Sequence, residues 1–194
     1  MKKDIIIAGV GGQGILTIAT IIGTAALEEG LKLKQAEVHG MSQRGGDVQS
    51  NLRISSDYIA SDLIPEGKAD LILSVEPMES LRYLKMLNTS EGWLVTSMNP
   101  LKNICDYPPI EDVLQTIWDI PRNVTIDSNK VSRELGSVKT ANIVVLGAAA
   151  SYLGIKYESL ENAIKLIFGK KGDEIVEMNL RALKAGKDYS VART

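Results

Sequence analysis

Ile5-Ile6-Ile7-Ala8-Gly9-Val10-Gly11-Gly12-Gln13-Gly14 is the stretch whose reading decides the fold. A run of β-branched and small apolar residues that does not alternate reads as a strand buried on both faces, with parallel-sheet character. It stops at glycines. Ile15 to Glu29 follows, apolar on nearly all sides through Ile15, Leu16, Ile18, Ala19, Ile21, Ile22, Ala25 and Ala26. That pattern predicts a buried helix ending at Gly30. Leu31 to Val38 reads as a second strand. Strand, glycine turn, helix and strand make a Rossmann-like βαβ unit.

The glycines at 9, 11 and 14 have the G-x-G-x-x-G spacing, after a strand and at the opening of a helix. Glycines let the backbone come close to a phosphate, and a helix N-terminus offers free N–H groups and a positive dipole end. Glu37, near the end of the second strand, stands where an acidic residue would hold the ribose of a dinucleotide. The same turn can equally be a tight connection that binds nothing, and spacing alone leaves both open.

Working outward, Asp47 to Ser55 alternates: Val48, Ser50, Leu52 and Ile54 share one face, and Gln49, Asn51 and Arg53 the other. That is a half-solvated or interface strand. Leu71 to Val75, Gly92 to Met98 and Val124 to Asp127 read as further strands. Helices are expected over Met78 to Asn88, Ile110 to Trp118, Lys130 to Leu135 and Thr140 to Leu153. Two more follow, one capped by Ser159 and ended by Gly169, the other an amphipathic Asp173 to Lys187. The fold class is therefore α/β, a mostly parallel sheet with flanking helices, finished by C-terminal helices. Residues 1–194 suit a single domain.

Composition narrows the function. Twenty-two basic against 24 acidic side chains give a net charge of −2, and aromatics are 5%. Neither a basic stripe nor a base-stacking platform is present, which argues against nucleic acid. Cys105 is the single cysteine and His39 the single histidine. One thiol cannot make an internal disulfide, an iron–sulfur cluster or a multi-cysteine zinc site, and it fits a reducing, cytoplasmic setting. The apolar N-terminal run ends at Gly9, too early for a signal peptide, and Ile15 to Leu27 is too short and broken for a membrane span.

Three further places can carry chemistry. His39 to Gly46 sets Arg44 before Gly45 and Gly46, a guanidinium on a backbone that can approach a phosphate, or a solvated arginine on a surface turn. Glu76 closes a strand at its carboxyl end, where ligands gather in open α/β sheets. Capping of the next helix is the reading preferred for it. Cys105, in a proline-rich loop with no second histidine available, reads as incidental.

Together these segments resemble a family. Ile5 to Leu16, Ser42 to Ser55 and Thr140 to Ala148 look like three successive blocks of the gamma-type module of 2-oxoacid:ferredoxin oxidoreductases. His39-Gly40-Met41-Ser42-Gln43-Arg44-Gly45-Gly46 resembles the indolepyruvate (arylpyruvate) branch. The resemblance implies a small subunit, not active alone, of an enzyme that oxidatively decarboxylates an arylpyruvate with coenzyme A and reduces ferredoxin. It implies that thiamine diphosphate, magnesium and the iron–sulfur clusters lie on a larger alpha subunit. It also implies that one of two loops, Gly9, Gly11, Gly12, Gln13 and Gly14 in the first turn or Arg44, Gly45 and Gly46 in the second, meets the coenzyme A phosphates or faces the alpha subunit's thiamine pocket. The competing expectations are a free-standing nucleotide- or dinucleotide-binding protein and a homo-oligomeric scaffold.

Overall fold

Six strands lie in one sheet in the order β2-β3-β1-β4-β5-β6. The structure is a computed structural model, and it describes residues 1–39, 46–102 and 104–192, with His39 by its backbone only. The strands are β1 (Lys2–Val10), β2 (Lys32–His39), β3 (Asp47–Ser55), β4 (Leu71–Ser74), β5 (Trp93–Ser97) and β6 (Asn123–Ile126). β1, β4, β5 and β6 are parallel, and β3 runs antiparallel to both β1 and β2. The helices are α1 (Ile15–Glu28), α2 (Pro77–Arg82), α3 (Ile110–Trp118), α4 (Ser128–Glu134), α5 (Ala141–Ala149), α6 (Tyr157–Phe168) and α7 (Asp173–Val191).

Side chains alternate across each strand, so the apolar run of β1 serves two layers. Ile5 and Ile7, with Leu71, Leu73 and Val95, pack against α1, α5, α6 and α7. Ile6, with Ile72 and Leu94, packs against Val113 and Ile117 of α3 on the other face. Each of the three isoleucines is fully buried, which contributes about 2 kcal/mol apiece. α5 and α7 approach backbone to backbone. A Cβ at Gly147 would strike the carbonyl of Leu183, and one at Gly186 the carbonyl of Val144.

The β1–α1–β2 unit forms, with β3 lying between its two strands. That makes β3 an internal strand. Its polar face is only partly covered and its groups are paired: Gln49 Nε2 donates to Asn51 Oδ1 at 2.9 Å, and the Arg53 guanidinium forks onto Asp4 at 2.8 and 3.0 Å. Helix α5 ends at Ala149, short of the expected Leu153, and α7 runs on to Val191, while two other helices differ for a local reason. α2 stops at Arg82, because the Ala69 backbone exchanges hydrogen bonds with Met86 and Asn88 and draws the chain out of helix. α6 begins at Tyr157 with Lys156 at its N-cap, whose N–H donates to Glu29 Oε1 at 2.7 Å, so Ser159 is a buried first-turn residue and not the cap. Among the described residues no helix is long and apolar enough to cross a membrane.

Candidate functional site

The glycine turn opens α1 at the carboxyl end of β1. Gly12 and Gly14 have φ of +101° and +81°, a region that side-chain-bearing residues enter only with strain. Gln13 folds back, its Oε1 accepting the N–H of Val10 at 2.7 Å, and Gly11 N–H donates to the carbonyl of Gly46 at 2.8 Å. Both bonds hold the turn's shape, so the amides of Gly11 and Val10 are already committed. Gly9 has no room for a Cβ, which would lie 2.6 Å from Val75 Cγ2. α1 itself has no side-chain cap and no acid in its first turn. Its leading N–H groups are therefore open to an anion.

The turn and the start of α1 border a cleft of about 1110 Å³ at the carboxyl edge of the sheet. Gly12, Gln13, Gly14 and Thr17 form one wall. Asn142, at the start of α5, closes against the turn with its Nδ2 3.3 Å from the carbonyl of Gly14. The floor comes from Ser97 at the end of β5, Asn99 just beyond it and Ser128 beyond β6. Asn99 ties these strand ends together. Its Oδ1 accepts from the Asn129 N–H at 2.9 Å and from Ser97 Oγ at 3.0 Å, and its Nδ2 donates to Asp127 Oδ1 at 2.9 Å. Phe168, Ile175 and Met178 supply an apolar flank.

The charge of the lining is one-sided. Arg133, Lys139 and Lys171 line the cleft, and no Asp or Glu does among the described residues. In a chain of net charge −2 this is a local inversion of sign. Neither Arg133 nor Lys139 is in an ion pair among the described residues. Lys171 Nζ lies 5.2 Å from the centre of the Phe168 ring. A large, open, cationic cleft beside an uncapped helix N-terminus suits an elongated, multiply charged anion.

Glu76 is fully buried just behind the cleft residue Val75. Its Oε2 accepts the N–H of Glu79 at 2.8 Å, which caps α2 as its sequence position suggests. Its Oε1 accepts from Tyr107 Oη at 2.5 Å and from the Leu101 N–H at 3.4 Å. Burial outweighs these bonds and holds its carboxyl above the ordinary carboxylate range. Glu76 thus straps the loop between β5 and α3, which carries Pro100 and Leu101 into the cleft wall.

Of the residues the sequence singles out, Gly12, Gln13 and Gly14 line the cleft, whereas Gly9 and Gly11 support the turn from behind. Gly46 meets that turn through its carbonyl. Arg44 and Gly45 lie outside the described residues, as does the side chain of His39. Cys105 is exposed and free. Glu37 is displaced from any ribose-holding role. β3 separates its strand from β1, and its Oε1 accepts from Gln35 Nε2 at 2.6 Å. Asn99, Arg133, Lys139 and Lys171 carry no motif and were invisible to spacing. Asn142 falls inside the Thr140 to Ala148 block, and its place before a long apolar helix was the available signal.

Comparison with known proteins agrees with this architecture. The family model described as pyruvate ferredoxin/flavodoxin oxidoreductase matches residues 4–189. The chain is 36% identical to indolepyruvate oxidoreductase subunit IorB of Archaeoglobus fulgidus over 99% of its own length and 97% of that protein. It is 36% identical to the IorB of Methanothermobacter thermautotrophicus over 96% of each. Among solved structures, the gamma subunit of a keto/oxoacid ferredoxin oxidoreductase from Geobacter sulfurreducens superposes with a TM-score of 0.69 at 23% identity, covering 98% of this chain and 99% of that one. The 2-oxoglutarate:ferredoxin oxidoreductase of Magnetococcus marinus, solved with 2-oxoglutarate, coenzyme A and succinyl-CoA, superposes with a TM-score of 0.77 at 23% identity. There the whole of this chain corresponds to 32% of a longer one. Matched almost from end to end, the chain belongs to the pyruvate ferredoxin/flavodoxin oxidoreductase family.

Proposed function

We propose that this chain is the small subunit of a cytoplasmic, thiamine-dependent 2-oxoacid:ferredoxin oxidoreductase of the indolepyruvate branch, and that its cleft receives coenzyme A. The observation that carries the second half is the pairing of an uncapped α1 N-terminus with a lining of three cations and no carboxylate. Identity to the IorB subunits over nearly their full length supports the branch. All 194 residues then act as one gamma-type unit.

The redox groups do not fit this chain. One cysteine cannot ligate a four-iron cluster, and among the described residues no group of three His, Cys, Asp or Glu side chains converges as a metal site. A larger partner subunit is therefore assigned the thiamine diphosphate, its magnesium and the clusters. Those groups supply decarboxylation of the arylpyruvate and electron transfer to ferredoxin. This chain's residues bind and orient. Gly12, Gln13 and Gly14 shape the turn, the α1 N–H groups face the phosphates, Asn142 and Asn99 hold the walls in register, and the cleft delivers the thiol to the reacting acyl group. The Arg44-Gly45-Gly46 loop, tied to the turn through Gly46, is assigned to the same ligand or to the partner's thiamine pocket.

The test is co-expression with the larger subunit and an assay of indolepyruvate-dependent viologen or ferredoxin reduction, omitting each subunit and coenzyme A in turn. Activity that requires both chains and coenzyme A is expected, with arylpyruvates preferred over pyruvate and 2-oxoglutarate. Full activity of the larger subunit alone would contradict the proposal.

A further inference from the structure

The cleft is longer than one phosphate site needs. The glycine turn sits at the end of β1 and α4 starts from the end of β6, three positions along the sheet. Three interstrand spacings of about 4.8 Å separate those ends by roughly 14 Å. The cations come from three segments outside the glycine turn, with Lys139 three residues ahead of Asn142, which touches that turn. Arg133 lies in the last turn of α4, Lys139 in the short turn before α5, and Lys171 just ahead of α7. Phe168, Ile175 and Met178 offer apolar surface in the same cleft, next to Lys171. A flat ring can cover such a surface, with anions at either side.

None of these cations is neutralised by a carboxylate of the described residues. Three like charges facing one cavity repel one another, and the arrangement is relieved when an anion enters. The α1 N-terminus already provides for one anionic group. Three cationic side chains line the same cleft in addition to that terminus.

We infer that Arg133, Lys139 and Lys171 form a second anion subsite, which takes a phosphomonoester on the nucleotide end of the ligand and so selects coenzyme A over its 3′-dephospho form. The inference rests on the coenzyme A reading above and goes beyond it. It assigns the ligand's two anionic parts to different residues of one cleft, and it makes three residues without a motif the determinants of thiol specificity. Arginine suits this task because its planar fork pairs two phosphate oxygens at once, while the lysines act as point charges.

The experiment uses the assembled two-subunit enzyme and titrates coenzyme A and dephospho-coenzyme A in the 2-oxoacid-dependent viologen assay. The wild-type enzyme is expected to show a KM for the dephospho form about tenfold higher or more, as loss of one charge-assisted contact set implies. In Arg133→Ala and in Arg133→Ala/Lys139→Ala the KM for coenzyme A rises toward that of the dephospho form, and the ratio of the two falls toward one. Lys171→Glu lowers the ratio further. Circular dichroism of each variant separates this from misfolding, and because both thiols are read on the same preparation, a folding defect alone leaves the ratio intact. Equal KM values for the two thiols in the wild type, or a ratio retained in the double variant, would overturn the second subsite while leaving coenzyme A as substrate. An enzyme that responds to neither thiol would remove the coenzyme A reading itself, and this inference with it.

Discussion

The two ends of the sheet treat charge in opposite ways. At the amino-terminal end, Asp4 is 1% exposed and is held by the fork of Arg53, whose remaining nitrogen donates to the carbonyls of Ser61 and Leu63. The buried charge there has its partners, and Arg53 ties the chain between β3 and β4 to it. At the carboxyl-terminal end, Arg133 and Lys139 line a large cleft and pair with no carboxylate among the described residues. The first arrangement lowers the energy of the folded chain. The second does little for folding and becomes favourable only when an anion arrives. Stability is concentrated at one end of the strands and the proposed binding at the other, the end where ligands gather in open α/β sheets.

The largest effect is expected from breaking the stable end. Arg53→Ala leaves the buried carboxylate of Asp4 without its fork, and should cost about 3 kcal/mol or more. Urea denaturation reads this as a fall in midpoint, and a loss below 1 kcal/mol would mean that Lys2, already 3.2 Å from Asp4, suffices with water to hold the carboxylate. Next comes the border between architecture and site. Gly14→Ala forces a side chain into a left-handed conformation and drives its Cβ onto the Asn142 amide, for about 2 kcal/mol. Adding Asn142→Ala should recover the steric part. No recovery would show that the backbone conformation alone sets the cost.

Glu76 sharpens the comparison through pH. Burial, opposed by the Tyr107, Glu79 and Leu101 hydrogen bonds, holds its folded-state pKa above the ordinary 4.5. The folded chain then keeps this proton to higher pH than the unfolded chain does. Its contribution is fully present below about 4.5 and is lost as pH rises through the folded value. Glu76→Gln, which cannot ionise, should remove that slope, so its stability relative to the wild type improves with rising pH. Parallel stability profiles for the two proteins from pH 4 to 8 would refute the shift. The smallest effect belongs to the open end, where Arg133→Ala should change stability by less than about 0.5 kcal/mol. A large destabilisation would make Arg133 structural.

Local chemistry made part of this readable from the residues. The unbroken apolar run of β1, the glycines after it and the all-round apolar α1 each obey short-range rules, and so does the capping of α2 by Glu76. Strand order does not. β3 enters between β1 and β2 because Leu52 and Ile54 bury against α1's layer and its polar side chains find partners on both neighbours, and no local pattern encodes that pairing. The site divides in the same way. Gly12 to Gly14 announce themselves, yet the conspicuous Gln13 turns out to brace the strand end. Arg133, Lys139 and Lys171 come together from segments with ordinary helix-end sequences, so only the folded chain shows that they share a cavity.

The most direct test of the cleft as the coenzyme A site is hydrogen–deuterium exchange on the assembled enzyme with and without coenzyme A. Protection is expected in residues 12–17 and 133–142, which form the two walls, with residues 53–63 at the opposite end of the sheet unchanged. Protection confined to the larger subunit, or spread over the amino-terminal end of this one, would contradict the account.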